Sequence, residues 1–507
     1  MARKERTLKN GTAAIIKYVV KLILQFILRT LIIYKLGVEY VGLDSLYANI
    51  ISMLSLAELG IGSAIVFCMY KPAAENDVEK LKSLNSLYKK LYFIIASIVL
   101  IIGLAISPFL KYLISGKPNV KVNIHYVYFI FLANTIISYL GAHKKSLLFA
   151  YQRYDIENNI MTTCIFAMSI LQIVLLLIFK NYYYYAILIP IFTLIEVIVI
   201  VIVANKKYPE INGKAQPLDK ETKKLVLRNI IGASCHQIGA VIVMSTDNLL
   251  ISMFFGLTVL GKISNYILIY NAIHSFVMIL IQALQASVGN LIATVDEQQV
   301  YKKYGMFNLT FSCIAGLFAI LLMCLYQPFI SIWVGEKYLV SIWLVLAIVA
   351  RFYFTEMRAL TNMFKNCAGL MWNDRIKPII ESFVNIAISI ALIYLMGVEG
   401  IFVGTIISTI CVPLWVEPYI LHKHYFKKSV RPYFIKLILF TFVTLIAGAS
   451  SFFICSLLPE LGIKWFILKI LISFVISLGI YLIAYYKTKD FKGLINTFLK
   501  PLLKKKK

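Results

Sequence analysis

The chain has 507 residues, 60% of them apolar and only 15% charged, with a mean hydropathy of +0.81. Soluble domains average about 45–50% apolar and about 25% charged residues. Here the apolar surplus comes in long runs, which excludes a soluble enzyme, a nucleic-acid-binding protein and a receptor with a single anchor. A formal charge of +27 would by itself suggest a nucleic-acid partner, but the placement of the charges says otherwise.

A bilayer-spanning helix needs about 20 mostly apolar residues. Such runs predict helices over 11–34, 42–69, 91–113, 122–141, 160–179, 183–204, 228–254, 263–292, 306–332, 340–363, 379–397, 399–421, 433–457 and 465–486. Lipid satisfies no backbone N–H or C=O, and the segments are too long for barrel strands, so helices are the expected element. The expected fold is an all-α integral membrane protein of about 14 transmembrane helices. The even number puts both termini on one side.

Lysine and arginine choose that side. The stretches 1–10, 71–90, 142–159, 206–228, 302–303, 365–377, 423–436 and 487–507 hold 37 of them, against eight in the alternate connections. The positive-inside rule makes the richer side cytoplasmic. The basic excess is then a topology signal with some attraction to anionic headgroups, and the lysine run 504–507 reads as a solvated tail. Residues 11–34 are too long for the apolar core of a cleavable signal, and no A-x-A site follows. All eight cysteines lie in or near apolar runs without C-x-x-C spacing, so they read as small core residues.

The chain repeats itself. Gly37-x4-Gly42-x2-Ser45-x-Tyr47-x2-Ile50 recurs as Gly256-x4-Gly261-x2-Ser264-x-Tyr266-x2-Ile269. The same offset pairs Ser52 with Asn271, Ser55 with His274, Ser63 with Gln282 and Asp77 with Asp296. Two six-helix lobes, both starting on the inner side, form a parallel repeat about an axis along the membrane normal, a plan in which transporters place the site between the halves. The expected organisation is a first lobe 1–205, a cytoplasmic linker 206–227, a second lobe 228–424, and two extra helices with a basic tail over 425–507.

A charge at the bilayer centre costs roughly 2.5–3.5 kcal/mol on the insertion scale and therefore faces a cavity or a partner. The first span carries Lys17, Lys21, Gln25 and Arg29 four residues apart, hence on one helical face. Lys17 reads as snorkelling to the interface. Lys21 and Arg29 read as facing a hydrated cavity that receives an anion; the alternative for Arg29 is pairing with an acid on another helix. The tenth span carries Arg351, Thr355, Arg358, Asn362 and Lys365 on one face, where the planar guanidinium fork suits a phosphate. Glu356 is an alternative partner for those arginines. Asn271, His274, Ser275, Gln282 and Gln285 share a face of the eighth span, which suits a wet interior or interhelical hydrogen bonds. Among the acids Asp44, Glu58, Glu196, Asp247, Glu381 and Glu417, each is either a neutralising partner or a site for H+ or Na+. Asp247 and Glu58 lead for ion coupling. Pro190, Pro413 and Pro418 are expected to kink their helices. His422-x-His424 is too weak a pattern for a metal site, and neither a P-loop nor a zinc motif is present.

The run KLGVEYVGLDSLYANIISMLSLAELGIGSAIVFCMYKPAAENDVEKLKSL, with Gly37, Gly42, Glu58, Leu59, Gly60, Gly62 and the turn Tyr70-Lys71-Pro72, resembles the start of bacterial oligosaccharide (polysaccharide) flippases. These form the Wzx-like branch of the multidrug/oligosaccharidyl-lipid/polysaccharide exporter superfamily. The stretch STDNLLISMFFGLTVLGKISNYILIYNAI, with Asp247, Gly256, Gly261, Ser264 and Tyr266, resembles the start of that family's second half. The resemblance implies flipping of an undecaprenyl-pyrophosphate-linked oligosaccharide across the bacterial cytoplasmic membrane by alternating access, for capsule, exopolysaccharide or O-antigen assembly. It implies no enzyme activity and no cofactor beyond a coupling H+ or Na+. Membrane lipids and the polysaccharide polymerase and chain-length machinery are the implied partners. On this reading Lys21, Arg29, Arg351 and Arg358 attract the pyrophosphate, and Gln25, Ser52, Asn271, His274, Gln282 and Gln285 line the sugar path. The rival readings are a lipid II flippase, a multidrug antiporter of the extrusion type, and a membrane enzyme of glycan assembly.

Overall fold

The computed structural model describes residues 2–58, 61–213, 215–459 and 462–496. The expectations for the Ser63 side chain, for Cys235 and for the lysine run 504–507 lie outside the described residues. The chain groups into two compact units, 1–264 and 265–507, so residues 228–264 group with the first unit.

The first unit contains α1 (Ala2–Lys35), α2 (Val38–Leu54), α3 (Ile61–Glu75), α4 (Val78–Ile106), α5 (Ile124–Leu140), α6 (Ala142–Ala150), α7 (Tyr154–Phe179), α8 (Tyr182–Lys207) and most of α9 (Lys220–Thr294). The second contains the end of α9, then α10 (Glu297–Val334), α11 (Ile342–Cys367), α12 (Lys377–Met396), α13 (Glu399–Cys411), α14 (Pro413–Leu421), α15 (Arg431–Ser456), α16 (Ile463–Tyr485) and α17 (Lys489–Leu494). Among the described residues there is no strand. Nine of their helices are long and apolar enough to cross a membrane, or ten if the pair α5–α6, bent by 46° at Gly141, is one span. The helices α1 and α11 stay outside that set, and each carries three charges across its apolar stretch: Lys17, Lys21 and Arg29 on α1, and Arg351, Glu356 and Arg358 on α11.

Polar side chains start the helices. Asp77 Oδ1 accepts from the Lys80 amide at 3.0 Å at the head of α4, and Asp296 Oδ1 accepts from Gln298 and Gln299 at 2.9 and 3.0 Å at the head of α10. These two caps satisfy amides that the first turn leaves without partners. They are also the two aspartates that the sequence repeat pairs.

Three expected boundaries change. The helix expected over 42–69 is two helices with a 3-10 turn at Ser55–Glu58 between them. Ser55 Oγ donates to the Ile51 carbonyl at 2.9 Å, competing with the backbone ladder, and Gly60 and Gly62 follow in the sequence. The helices expected over 228–254 and 263–292 join as α9, bent where Gly256 takes φ 80°, a conformation without steric penalty only for glycine. The helix expected over 399–421 breaks at Val412, before Pro413, because the ring of a proline disfavours helix at the preceding residue. Pro190, by contrast, sits inside the unbroken α8.

The repeat has a physical counterpart inside the first unit. A Cβ on Gly42 would meet the backbone of Leu257, and a Cβ on Gly261 would meet the backbone of Val38. Each contact is the other shifted by the repeat offset. Ser45 and Ser264 share a hydrogen bond of 2.7 Å, and Thr258 Oγ1 donates to Glu39 Oε1 at 2.9 Å, both across a separation of 219 residues. Residues equivalent in the repeat therefore pair with one another, as they do at a two-fold interface. Small residues here bring two backbones together, the usual device where no water drives helices to associate.

In the second unit, α15 and α16 pack on α10. The Thr444 and Tyr481 hydroxyls lie 3.2 Å apart beside Gly316. Asn385 Nδ2 donates to Thr405 Oγ1 at 2.9 Å where α12 packs on α13.

Candidate functional site

In the first unit the polar stripe of α1 divides. Lys17 Nζ is 3.7 Å from Glu157 Oε2 on α7, and Lys145 Nζ is 2.5 Å from Glu157 Oε1. Lys17 is thus held by an acid. Lys21 and Gln25 are exposed within the apolar stretch of α1, and Arg29 is half-buried. Arg29 belongs to a cluster with Asp44, with which it interacts through opposite charge. Asp44 also accepts from the hydroxyls of Tyr182, on Oδ1, and Tyr185, on Oδ2 at 3.5 Å. The Tyr182 and Tyr185 rings lie 5.5 Å apart and Tyr40 packs on Tyr182 at 5.0 Å. The spacing within α1 contains no trace of this cradle, because its other members come from α2 and α8. The earlier signal is Asp44 itself, one of the acids the sequence allowed as a neutralising partner.

Glu58 stands on the 3-10 turn between α2 and α3. It accepts from the Tyr92 hydroxyl on α4, while Tyr139 on α5 donates to Ser55 Oγ at 3.1 Å. The rings of Tyr88, Tyr92 and Tyr139 follow each other at 4.5 and 5.5 Å. Asp247 is 2% exposed within α9, and Ser52 is half-buried on α2.

In the second unit the α11 stripe also divides, more sharply. Arg358 donates from Nη2 to Glu417 Oε1 at 2.7 Å and from Nε to Glu417 Oε2 at 3.2 Å, and its Nη1 is 3.3 Å from Glu381 Oε1. Lys377 bridges Glu417 and Asp374, the latter at 3.1 Å, and Lys365 closes the chain on Asp374. Three cations and three carboxylates from α11, α12, α14 and the turn Leu370–Asp374 thus form one balanced, buried network. The expectation that Arg358 attracts a pyrophosphate is corrected on this point: its guanidinium fork is already occupied by a protein carboxylate. Glu381 and Glu417 are the neutralising acids that the sequence allowed for.

Arg351, about two turns earlier on α11, lies in a different setting. Its guanidinium carbon is 5.8 Å from the Tyr270 ring and 5.7 Å from the Phe402 ring. Such a frame holds a cation by its face. Glu356 does not pair with an arginine. It is bonded to His274 Nδ1 at 2.5 Å, its side chain fully buried. That pair takes one ring nitrogen of His274 away from the expected sugar path. Asn271, Gln282 and Gln285 are exposed on α9. The structure therefore brings His274, Glu356, Arg351 and Tyr270 together, and groups Arg358 elsewhere.

Among the described residues no group of three or more His, Cys, Asp or Glu could hold a metal ion. His422 is buried and donates from Nδ1 to the Pro418 carbonyl at 2.7 Å, whereas His424 is exposed.

Neither a family model nor a curated protein matches the sequence. Solved structures do. The chain is similar to the lipid II flippase MurJ in an inward closed conformation, at 15% identity and a TM-score of 0.65, over 94% of this chain and 98% of that one. It is similar to an inward-facing multidrug resistance MATE family transporter of the MOP superfamily, at 15% identity and a TM-score of 0.61, over 80% and 98% of the two chains. It is also similar to the Vibrio cholerae MATE transporter VcmN, at 14% identity and a TM-score of 0.57, over 84% and 98%. At such identities the likeness is one of fold, and on that ground the chain is a multi-pass, all-helical membrane protein with the fold shared by these flippase and transporter structures.

Proposed function

We propose that the chain is a flippase of the MOP superfamily that moves an undecaprenyl-pyrophosphate-linked oligosaccharide across the bacterial cytoplasmic membrane. The single observation that carries the reading is the exposed face of Lys21 and Gln25, continued by half-buried Arg29, within the apolar stretch of α1. Arg29 lies against Asp44, so Lys21 is the charge of this face left to attract an anion. At an effective dielectric near 20, one unit charge at about 4 Å from a phosphate oxygen contributes about 4 kcal/mol of attraction. Arg351 supplies a third cation, in an aromatic frame that also suits the face of a sugar ring. The exposed Asn271, Gln282 and Gln285, with Gln25 and Ser52, offer hydrogen bonds to hydroxyls. Asp247 and Glu58 are the proposed groups for a coupling H+ or Na+. The polymerase and chain-length machinery would consume the flipped product.

A second reading, a lipid II flippase, is favoured by one observation: the likeness to MurJ spans 94% of this chain, including more of it than the MATE likenesses do. Both substrates carry a pyrophosphate on a prenyl chain, so the same cations serve either. Replacing Lys21 and Arg351 together with Ala tests the shared chemistry. Export should fall at least tenfold while folded protein stays in the membrane, and unchanged export refutes the role of these cations. Depletion in the host separates the substrates: loss of surface polysaccharide with normal growth supports the oligosaccharide, and lysis supports lipid II.

A further inference from the structure

One buried acid takes no part in the proposed transport path. The side chain of Glu356 on α11 is closed to solvent, and its Oε1 is bonded to His274 Nδ1 at 2.5 Å. Its other oxygen, Oε2, is buried and has no hydrogen-bond partner. A carboxylate taken out of water is costly unless a charge and hydrogen bonds compensate it. Among the described residues, His274 is the titratable group that acts on Glu356. Arg358, two residues further on, is committed to Glu417 and Glu381. The pair is therefore balanced in charge only while the imidazole is a cation.

The two ring nitrogens of His274 have different tasks. Nδ1 carries the proton shared with Glu356, and a neutral imidazole held in that way keeps its lone pair on Nε2. A proton arriving there makes Nε2 a donor and the ring a cation. The His274 side chain is 28% exposed against 0% for Glu356, so the ring is the part of the pair that water or a ligand reaches.

The surroundings favour an anion at that ring. Tyr270, one turn earlier on α9, stacks on the imidazole at 6.0 Å between centroids, and the Arg351 guanidinium lies 5.8 Å from the same Tyr270 ring. The imidazole and the guanidinium thus flank one aromatic ring. The further ionisable neighbour of Tyr270, Tyr326 of α10, donates its hydroxyl to the Tyr266 carbonyl at 3.1 Å. Asn271 and Gln282, both exposed, share the helical face of His274 at three- and four-residue spacing.

We propose that His274 is a ligand of the pyrophosphate group, made a cationic donor by Glu356, so that binding of the anion takes up one proton from solvent on Nε2. This assignment rests on the flippase reading. It gives the imidazole to the phosphates instead of the sugars and makes Glu356 a positioning residue. The proton is bound with the substrate, apart from any coupling ion at Asp247 or Glu58.

The test uses the full-length protein in detergent with undecaprenyl pyrophosphate as the probe. Calorimetry in two buffers of different ionisation enthalpy counts the protons taken up per ligand bound. Between about pH 7.5 and about pH 9, on the alkaline side of the usual imidazole range, the wild-type protein should take up as much as one proton with each ligand. Its affinity should fall about tenfold across that interval, the effect of one unit charge near the anion. His274→Gln should bind more weakly, without proton uptake. Glu356→Gln keeps an acceptor for the Nδ1 proton but not the charge, and should move the pH profile of binding to lower pH. A merely structural role for Glu356 would lower the unfolding midpoint and leave that profile in place. Wild-type binding without proton uptake, or an uptake that survives in His274→Gln, overturns the proposal and leaves the flippase reading standing. Absence of binding by the wild-type protein overturns that reading and the proposal with it.

Discussion

Arg358 offers the sharpest test of how the polar groups of this protein divide between structure and substrate. Sequence spacing puts Arg358 on the same face as Arg351, and both would serve an anion equally well. In the structure Arg358 holds Glu417 through two hydrogen bonds and Glu381 through a third, with the Glu417 side chain fully buried. Arg358→Ala leaves Asp374, Glu381 and Glu417 facing only Lys365 and Lys377, so one carboxylate charge is stranded in the interior. Removing one member of a buried pair costs about 3–5 kcal/mol. For a unit of this size that lowers the unfolding midpoint by about 10 °C. The paired substitution Arg358→Met with Glu417→Leu removes one charge of each sign. Lys377 keeps Asp374 at 3.1 Å, and balance returns, so most of the lost stability should return with it. The assay is thermal unfolding of purified protein followed by size-exclusion fluorescence, with export measured in parallel. Export should survive in the paired variant. If Arg358→Ala unfolds at the wild-type temperature, or if the paired variant is no more stable than the single one, the network is not a structural ion cluster and Arg358 returns to the substrate set.

Further expectations concern the repeat and the helix caps. Gly42→Ala and Gly261→Ala each drive a methyl group into a backbone carbonyl rather than into a movable side chain, so each should cost about 1–3 kcal/mol by overpacking, visible as a lowered unfolding midpoint. Gly289→Ala, inside α9 with nothing within 4 Å of the added carbon, should not lower the midpoint and should raise it slightly, since alanine favours a helix interior over glycine by about 1 kcal/mol. At the head of α10, the Gln299 and then the Gln298 amide hold the Asp296 carboxyl below the usual aspartate range. A depressed folded-state pKa stabilises at all pH above the ordinary value and ceases to do so as pH falls through the folded one. Asp296→Asn keeps an acceptor at the cap and should flatten this acid-side loss in unfolding scans, a loss which sets in as pH falls through the ordinary aspartate value of 3.8 and continues below it.

How far the sequence reaches depends on whether an interaction is local. The apolar runs and a disturbance of the helix at Pro413 follow from residues within a few positions of each other, and they were legible. The fate of Arg29, Arg351 and Arg358 was not. Each sits in an apolar helix with other polar residues on its face, and each is decided by side chains that the fold delivers from elsewhere. Asp44 and Tyr185 reach Arg29 from α2 and α8, Phe402 reaches Arg351 from α13, and Glu417 reaches Arg358 from α14. Periodicity states which face a charge occupies, but it cannot state whether that face meets a carboxylate, a ring or water. Glu356 shows the same limit from the other side. An acid beside two arginines in sequence turns instead to His274, because i, i+2 and i, i+5 neighbours on a helix point apart.

The internal repeat stands between these cases. Its glycines were legible as a pattern, but the pattern does not say why they recur. The reciprocal approach of Gly42 to Leu257 and of Gly261 to Val38 supplies the reason. In a duplicated chain, a residue near the pseudo-two-fold axis meets its own copy, so each such position is constrained twice. The serine pair at 45 and 264 satisfies that condition by sharing one hydrogen bond. The pair at 39 and 258 satisfies it by differing, since two glutamates there would repel and Thr258 instead donates to Glu39. Sequence divergence between the copies is therefore itself informative: at the axis it marks positions where identity would be unfavourable. Thr258→Glu, which restores identity, should place two carboxylates against each other and destabilise the first unit. Thr258→Ser should keep the hydrogen bond and the wild-type unfolding midpoint. Equal midpoints for the two variants would remove the axis contact from this account.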